Sequence, residues 1–313
     1  MSELIQTAVQ FSTYSGELYG TLCQKDKQGR SVVVLLLADG GAIDRNGNSA
    51  DGFNRSRCLQ ALAEDLLHLG LPSLRYDKRG TGLSSMALPH PGELTLDDYV
   101  EDAIHAIQYL RNEQRYARVV VAGHGEGALI GMLASRQVPV DGLISIGASA
   151  RNGAQLLHEQ LSKHLSAEKL VQADAIIQRL YDGEFVDAVP EAFATLFNHD
   201  IQPLLMSLFR TEPTEALREV DAPVLLLHGS RDLQVPFSDA NALKAARSDA
   251  TLLFVEGMNH VLKAVNADAQ VQLEQYHNPA LPVCRQLTLN MVSFIGRLLR
   301  QSDTAKTGTA ERA

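Results

Sequence analysis

The chain has 313 residues, 45% of them hydrophobic, and its 28 Lys and Arg against 37 Asp and Glu leave a net charge of −9. That is ample material for a large core, and the acidic balance with no basic stripe excludes a nucleic-acid partner. No stretch approaches the roughly 20 apolar residues of a membrane span, and no basic segment precedes a long apolar run near residue 1. The three cysteines, Cys23, Cys58 and Cys284, are scattered and form no C-x-x-C pair. They point to buried thiols in a cytoplasmic protein, with neither a disulfide framework nor a zinc site.

The first strong element is Val32-Val33-Val34-Leu35-Leu36-Leu37, a continuous apolar run of the kind that suits a central parallel strand covered on both faces. Leu59, Leu62, Leu66 and Leu67 recur at helical spacing, and Gly70 ends that helix. Leu74-Arg75-Tyr76-Asp77 is a short strand entering a structural turn built by Asp77, Arg79, Gly80 and Gly82. Thr95 and Asp98 form a capping box ahead of a helix with Val100, Ala103, Ile107 and Leu110 on one face. Next, residues 119–124 read as a buried strand running straight into Gly123-His124-Gly125-Glu126-Gly127, and a helix follows from Ala128. Residues 142–146 read as another strand.

From about 151 to 219 the character changes to polar, helical sequence without a convincing strand. Leu156, Leu161, Leu165, Leu170, Ile176, Ile177, Leu180, Phe193, Phe197 and Leu204 supply its inward faces. Strands resume at 224–228 and 252–255, a closing helix spans 287–299, and residues 302–313 lack apolar periodicity and read as a flexible tail. Alternating strands and helices predict an α/β fold with a mostly parallel central sheet flanked by helices. The expected division is a core of 1–150 and 220–301 and a helical cap of 151–219 over the sheet's C-terminal edge, where open α/β sheets bind ligands.

The strand–glycine turn–helix at 123–127 is the setting of the G-x-S-x-G nucleophile elbow, with Gly125 in the serine's place. Downstream, Asp232 and His260 each lie just past a predicted strand, in the order nucleophile, acid, base. A dinucleotide-binding reading of Gly123-His124-Gly125-Glu126-Gly127-Ala128 lacks the acidic residue expected about 20 positions on. His124 and Glu126 are read as shaping the turn, and no metal or other cofactor is expected.

Together these blocks resemble the bacterial carboxylesterase branch of the α/β-hydrolases from about residue 9 to 299. They are Gly229-Ser230-Arg231-Asp232 with Val235-Pro236, Gly257-Met258-Asn259-His260, residues 76–84 and Asn278-Pro279-Ala280-Leu281-Pro282. The resemblance implies hydrolysis of a small ester or thioester, with position 125 as nucleophile, His260 as general base and Asp232 as its orienter. It also implies an oxyanion hole from the N–H of Glu126 and a backbone N–H near Gly40. Two departures stand out. Gly125 removes the acyl-accepting oxygen. In the loop Ala38-Asp39-Gly40-Gly41-Ala42-Ile43-Asp44-Arg45-Asn46-Gly47-Asn48 the family resembles A-G-S-G-P-T-D-R-D-G-N, so Asp39 replaces a glycine.

A carboxylate beside a developing oxyanion opposes the stabilisation that such a hole supplies. Loss of the serine costs a subtilisin-type protease about 10⁶ in kcat. The chain is therefore expected to be inactive or strongly impaired on the acyl-enzyme route. The alternatives are a pseudoenzyme that binds a small apolar ligand or a partner, and general-base catalysis by His260 and Asp232 with no covalent step.

Overall fold

A computed structural model describes residues 4–25, 29–265, 272, 274 and 276–310. Its strands are β1 (Leu4–Thr13), β2 (Gly16–Lys25), β3 (Val33–Leu37), β4 (Ser73–Tyr76), β5 (Val119–His124), β6 (Gly142–Ile146), β7 (Val224–Gly229) and β8 (Thr251–Val255). They form one sheet in the order β1-β2-β4-β3-β5-β6-β7-β8. Pairing is parallel from β4 through β8, while β2 runs antiparallel to both β1 and β4. The helices are α1 (Cys58–His68), α2 (Leu96–Asn112), α3 (Glu126–Gln137), α4 (Gly153–Ser162), α5 (Ala167–Asp182), α6 (Gln202–Arg210), α7 (Pro213–Arg218), α8 (Phe237–Ala246) and α9 (Arg285–Ala310).

The apolar runs are continuous because each strand feeds two cores. Val33, Leu35 and Leu37 pack with α2, α3, α7 and α8, while Val34 and Leu36 pack with α1 and α9. Period-two alternation thus sends successive side chains to opposite, equally apolar layers. Gly70 stops α1 with φ +88°, and the Thr95–Asp98 capping box starts α2. The β1–β2 hairpin at the sheet edge is an addition to the strands expected from sequence. Helix α9 continues past 299 to Ala310, because no proline interrupts its polar continuation and helix needs no apolar stripe to persist there.

Between β6 and β7 the described chain holds α4 to α7 and short 3-10 turns, with no strand. Ala173, Ile176, Ile177, Leu180, Val186, Phe193, Phe197 and Phe209 form a separate small core in this segment. Below the sheet's edge, the turn at 77–84 is fixed by charge. Asp77 accepts from the Arg45 and Leu83 N–H groups and pairs with the Arg45 guanidinium. Arg79 Nε and Nη2 donate to the Asp102 carboxylate at 2.8 and 2.5 Å, and both residues are almost completely buried. The fork-to-carboxylate geometry satisfies both groups at once.

Asp102→Ala takes the acceptor from Nε and Nη2 of the buried Arg79 guanidinium, leaving Asp98 at 3.3 Å on Nη1, and is expected to cost about 3 kcal/mol in urea unfolding. A loss below about 1 kcal/mol, the range of an exposed pair, would contradict this role.

Candidate active site

The residues singled out from sequence converge at the C-terminal edge of the sheet. Asp39 and Gly40 follow β3, Gly125 follows β5, Asp232 follows β7 and His260 follows β8. At the β5–α3 turn the backbone packs against backbone. A Cβ at Gly123 would lie 2.2 Å from the Gly127 carbonyl oxygen, and one at Gly127 would lie 2.4 Å from that of Ala38. Gly125 itself has φ +53° and ψ −120°, the strained conformation of a residue presented at a sharp strand-to-helix turn.

Asp39 fills the space that a side chain at 125 would take. A Cβ built on Gly125 would sit 1.8 Å from Asp39 Oδ1 and 2.4 Å from its Cγ. The same Oδ1 accepts the Gly40 N–H at 2.7 Å and the Glu126 N–H at 3.0 Å. The two N–H groups assigned from sequence to an oxyanion hole therefore do converge on one point, and Asp39 occupies it. Asp39 Oδ2 lies 2.9 Å from His260 Nε2, and Asp232 Oδ2 lies 2.8 Å from His260 Nδ1. Asp232 is held in turn by the Gln234 and Val235 N–H groups on its Oδ1.

Two ionised carboxylates can only accept, so both nitrogens of His260 must donate, which makes the ring an imidazolium. Burial of the ring opposes this charge. The charges and hydrogen bonds of Asp232 and Asp39 outweigh it and raise the His260 pKa well above the usual histidine range. Burial would likewise raise the Asp39 carboxyl. The hydrogen bond and the charge of His260 and the Gly40 N–H hold it far below the carboxylate range instead. Asp232 is lowered too, with His260 outweighing the effect of burial. His124 donates its Nε2–H to the His260 carbonyl at 2.8 Å, its ring 4.8 Å from that of His260. Burial lowers its pKa and keeps it neutral.

Sequence reasoning missed the clamp beneath Asp39. Lys78 Nζ donates to the Asp39 backbone carbonyl at 3.2 Å and to Glu126 Oε1 at 3.0 Å. Burial lowers the Lys78 pKa, but Glu126 more than offsets it. Glu126 thus has a partner of its own in addition to shaping the turn. Asp39, His124 and His260 also bring potential metal-ligand atoms within 4.8 Å of one another. A cation there would have to displace the proton that His260 shares with Asp39. A cavity of about 430 Å³ opens over Asp39, Gly125 and His260, with Leu156, Leu208 and Pro213 of α4, α6 and α7 forming its far side.

With this geometry in view, the comparison with known families is direct. The serine aminopeptidase (S33) pattern of hydrolases matches residues 51–264, more than half of the chain. The chain belongs to the serine aminopeptidase S33 family. The esterase EstD of Thermotoga maritima is 26% identical over 242 residues, which are 73% of this chain and 54% of EstD, so the chain spans about half of that relative. Est1E from Butyrivibrio proteoclasticus is 15% identical with a TM-score of 0.56, covering 91% of this chain and 99% of Est1E. An esterase of Pyrococcus furiosus is 16% identical with a TM-score of 0.57, covering 95% and 91%. Both have the α/β-hydrolase fold of this chain. Among the described residues no helix is long and apolar enough to cross a membrane.

The ionisation has a measurable consequence. His260 faces Asp39, Asp232, His124, Tyr276 and His228. Its pKa is about 6.5 when unfolded and well above that when folded. Its contribution to stability is therefore complete below about pH 6.5 and lost as pH rises through the folded value. The depressed carboxylates contribute above about pH 4 and lose that contribution as pH falls through their folded values. Asp39→Asn is expected to lower the proton affinity of His260 at least about tenfold by imidazole NMR titration, moving the alkaline loss of stability toward neutral pH. An unchanged titration would contradict the paired geometry.

Proposed function

We propose that this chain is a hydrolase of the esterase lineage whose reacting unit is Asp39, His260 and Asp232 in place of serine, histidine and aspartate. The observation that supports this is the 1.8 Å distance between Asp39 Oδ1 and the Cβ position of Gly125. One carboxylate replaces the nucleophile's side chain and engages the base through its other oxygen. In this reading Asp232 orients His260, as the resemblance to carboxylesterases implies, while His260 rests as an acid rather than as a free base.

The serine acyl-enzyme route is closed twice over. Gly125 offers no oxygen, and a substrate carbonyl finds both stabilising N–H groups already bonded to Asp39 Oδ1. EstD and the Pyrococcus furiosus protein carry the name esterase, and that assignment comes to this chain as ancestry. What remains is hydrolysis of a small, neutral electrophile in the 430 Å³ cavity. A second reading, a pseudoenzyme holding a small ligand without turnover, draws on the same filled hole. It is separated by ligand-induced stabilisation with no product formed.

The direct test compares hydrolysis of short p-nitrophenyl esters by the native chain, Gly125→Ser and the double variant Asp39→Gly with Gly125→Ser. The native chain is expected to be silent, because a serine oxygen and a free hole are both lacking. Serine alone meets the Asp39 carboxylate and stays at least about 10²-fold below the double variant, the range set by loss of an oxyanion donor. Equal rates in the native chain and in the double variant would overturn the reading.

A further inference from the structure

We propose that Asp39 is the nucleophile of an epoxide hydrolysis, attacking a ring carbon through Oδ2 to form an alkyl ester on the enzyme. This inference rests on the reacting unit proposed above and adds the attacking atom and the substrate class. It starts from which oxygen of Asp39 each partner holds. Oδ1 lies between the Gly40 and Glu126 N–H groups, while Oδ2 faces His260 at the floor of the cavity.

That division selects the electrophile. Attack on an acyl carbon builds negative charge on the substrate's oxygen, for which no N–H is free. Attack on a saturated carbon forms no tetrahedral oxyanion; its charge develops on the leaving group, within reach of the proton on His260 Nε2. Hydrolysis of the resulting Asp39 ester does build an oxyanion, and it forms on Oδ1, already in contact with both donors. The pair of N–H groups thus serves the enzyme's own carbonyl oxygen. Carboxylate nucleophiles of this kind split one difficult hydrolysis into two easier steps.

Proton accounting narrows the leaving group. A ring oxygen needs a proton as its C–O bond breaks, whereas a halide does not. Asp39 Oδ2 attacks a ring carbon, the ring C–O bond breaks with its electron pair going to oxygen, and that oxygen takes the proton from His260 Nε2. The products are a β-hydroxyalkyl ester of Asp39 and a neutral His260. Neutral His260 then removes a proton from water, whose oxygen adds to Asp39 Cγ while the carbonyl pair moves to Oδ1. Collapse expels the alkoxide, which takes the hydroxyl proton from the new carboxylic acid. Epoxide and water have become a vicinal diol, and the Asp39 carboxylate and the His260 imidazolium are restored.

The cavity lining agrees with a neutral substrate. Leu129, Leu156, Leu208, Pro213 and Val235 supply apolar surface. The lining cation Arg151 is bonded to Asp239 at 2.9 Å and also pairs with Glu159, and the lining anion Glu126 is paired with Lys78. A volume near 430 Å³ lies within the range that encloses a small organic molecule.

The test incubates excess native protein with styrene oxide or propylene oxide in water labelled with heavy oxygen for a single turnover. The label is expected on the peptide that contains Asp39, and the diol is expected to be unlabelled. His260→Gln, which removes both the acid of ring opening and the base of ester hydrolysis, and Asp39→Ala should each lose at least about 10³-fold in diol formation. Label in the diol, with an unlabelled Asp39 peptide, would overturn the nucleophile while leaving the Asp39–His260–Asp232 unit as a base acting on water. Diol formation that survives Asp39→Ala would overturn that unit as well. No diol from either epoxide, with the ester-hydrolysing double variant active, would overturn the substrate class alone.

Discussion

The site is organised by one carboxylate that satisfies three donors. Asp39 gathers the Gly40 N–H, the Glu126 N–H and the His260 Nε2–H within 2.7–3.0 Å. A carboxylate partly withdrawn from water is costly unless it is paired and hydrogen-bonded, and these partners meet that condition. The arrangement also fixes the protonation of its neighbours. With Asp232 on the other side, His260 is held as a cation between two anions, and His124 beside it stays neutral.

Several distant segments must agree for this to happen. The loop after β3 brings the acid, the turn between β5 and α3 brings an N–H and the empty position, and the turns after β7 and β8 bring Asp232 and His260. Parallel pairing of β3, β5, β6, β7 and β8 puts all those strand ends on one edge. The rigidity comes from layers packed on both faces of the sheet, and from Lys78 gripping the Asp39 carbonyl and Glu126 together. The chemistry is thus placed by the core and aimed by a few short polar contacts.

Most of the frame was legible in the sequence because burial on both faces leaves unbroken apolar runs, as at 32–37 and 119–124. The β1–β2 hairpin was not, since an edge hairpin with one wet face carries a weaker pattern. In the helical segment Ile176, Ile177, Leu180, Phe193 and Phe197 were readable at helical spacing. Ala173, Val186 and Phe209 join them only through tertiary packing. At the site, Gly125, Asp232 and His260 could be placed by order and spacing, and Gly40 and Glu126 through the resemblance to carboxylesterases. What a linear reading could not supply was the direction of Asp39. Its signal lay in two departures from the carboxylesterase pattern taken together. A side chain is gained at 39 where glycine is usual, and one is lost at 125 where serine is usual. The two changes are one exchange of volume across the turn, visible once the 1.8 Å distance is known.

The position of the Asp39 carboxylate is tested by an atomic-resolution crystal structure of the native chain near neutral pH. It should show Asp39 Oδ1 within hydrogen-bond distance of both the Gly40 and Glu126 nitrogens and Oδ2 on His260 Nε2, with equal C–O bond lengths marking an ionised carboxylate. Asp39 turned away from Gly125, with water between the two N–H groups, would contradict it.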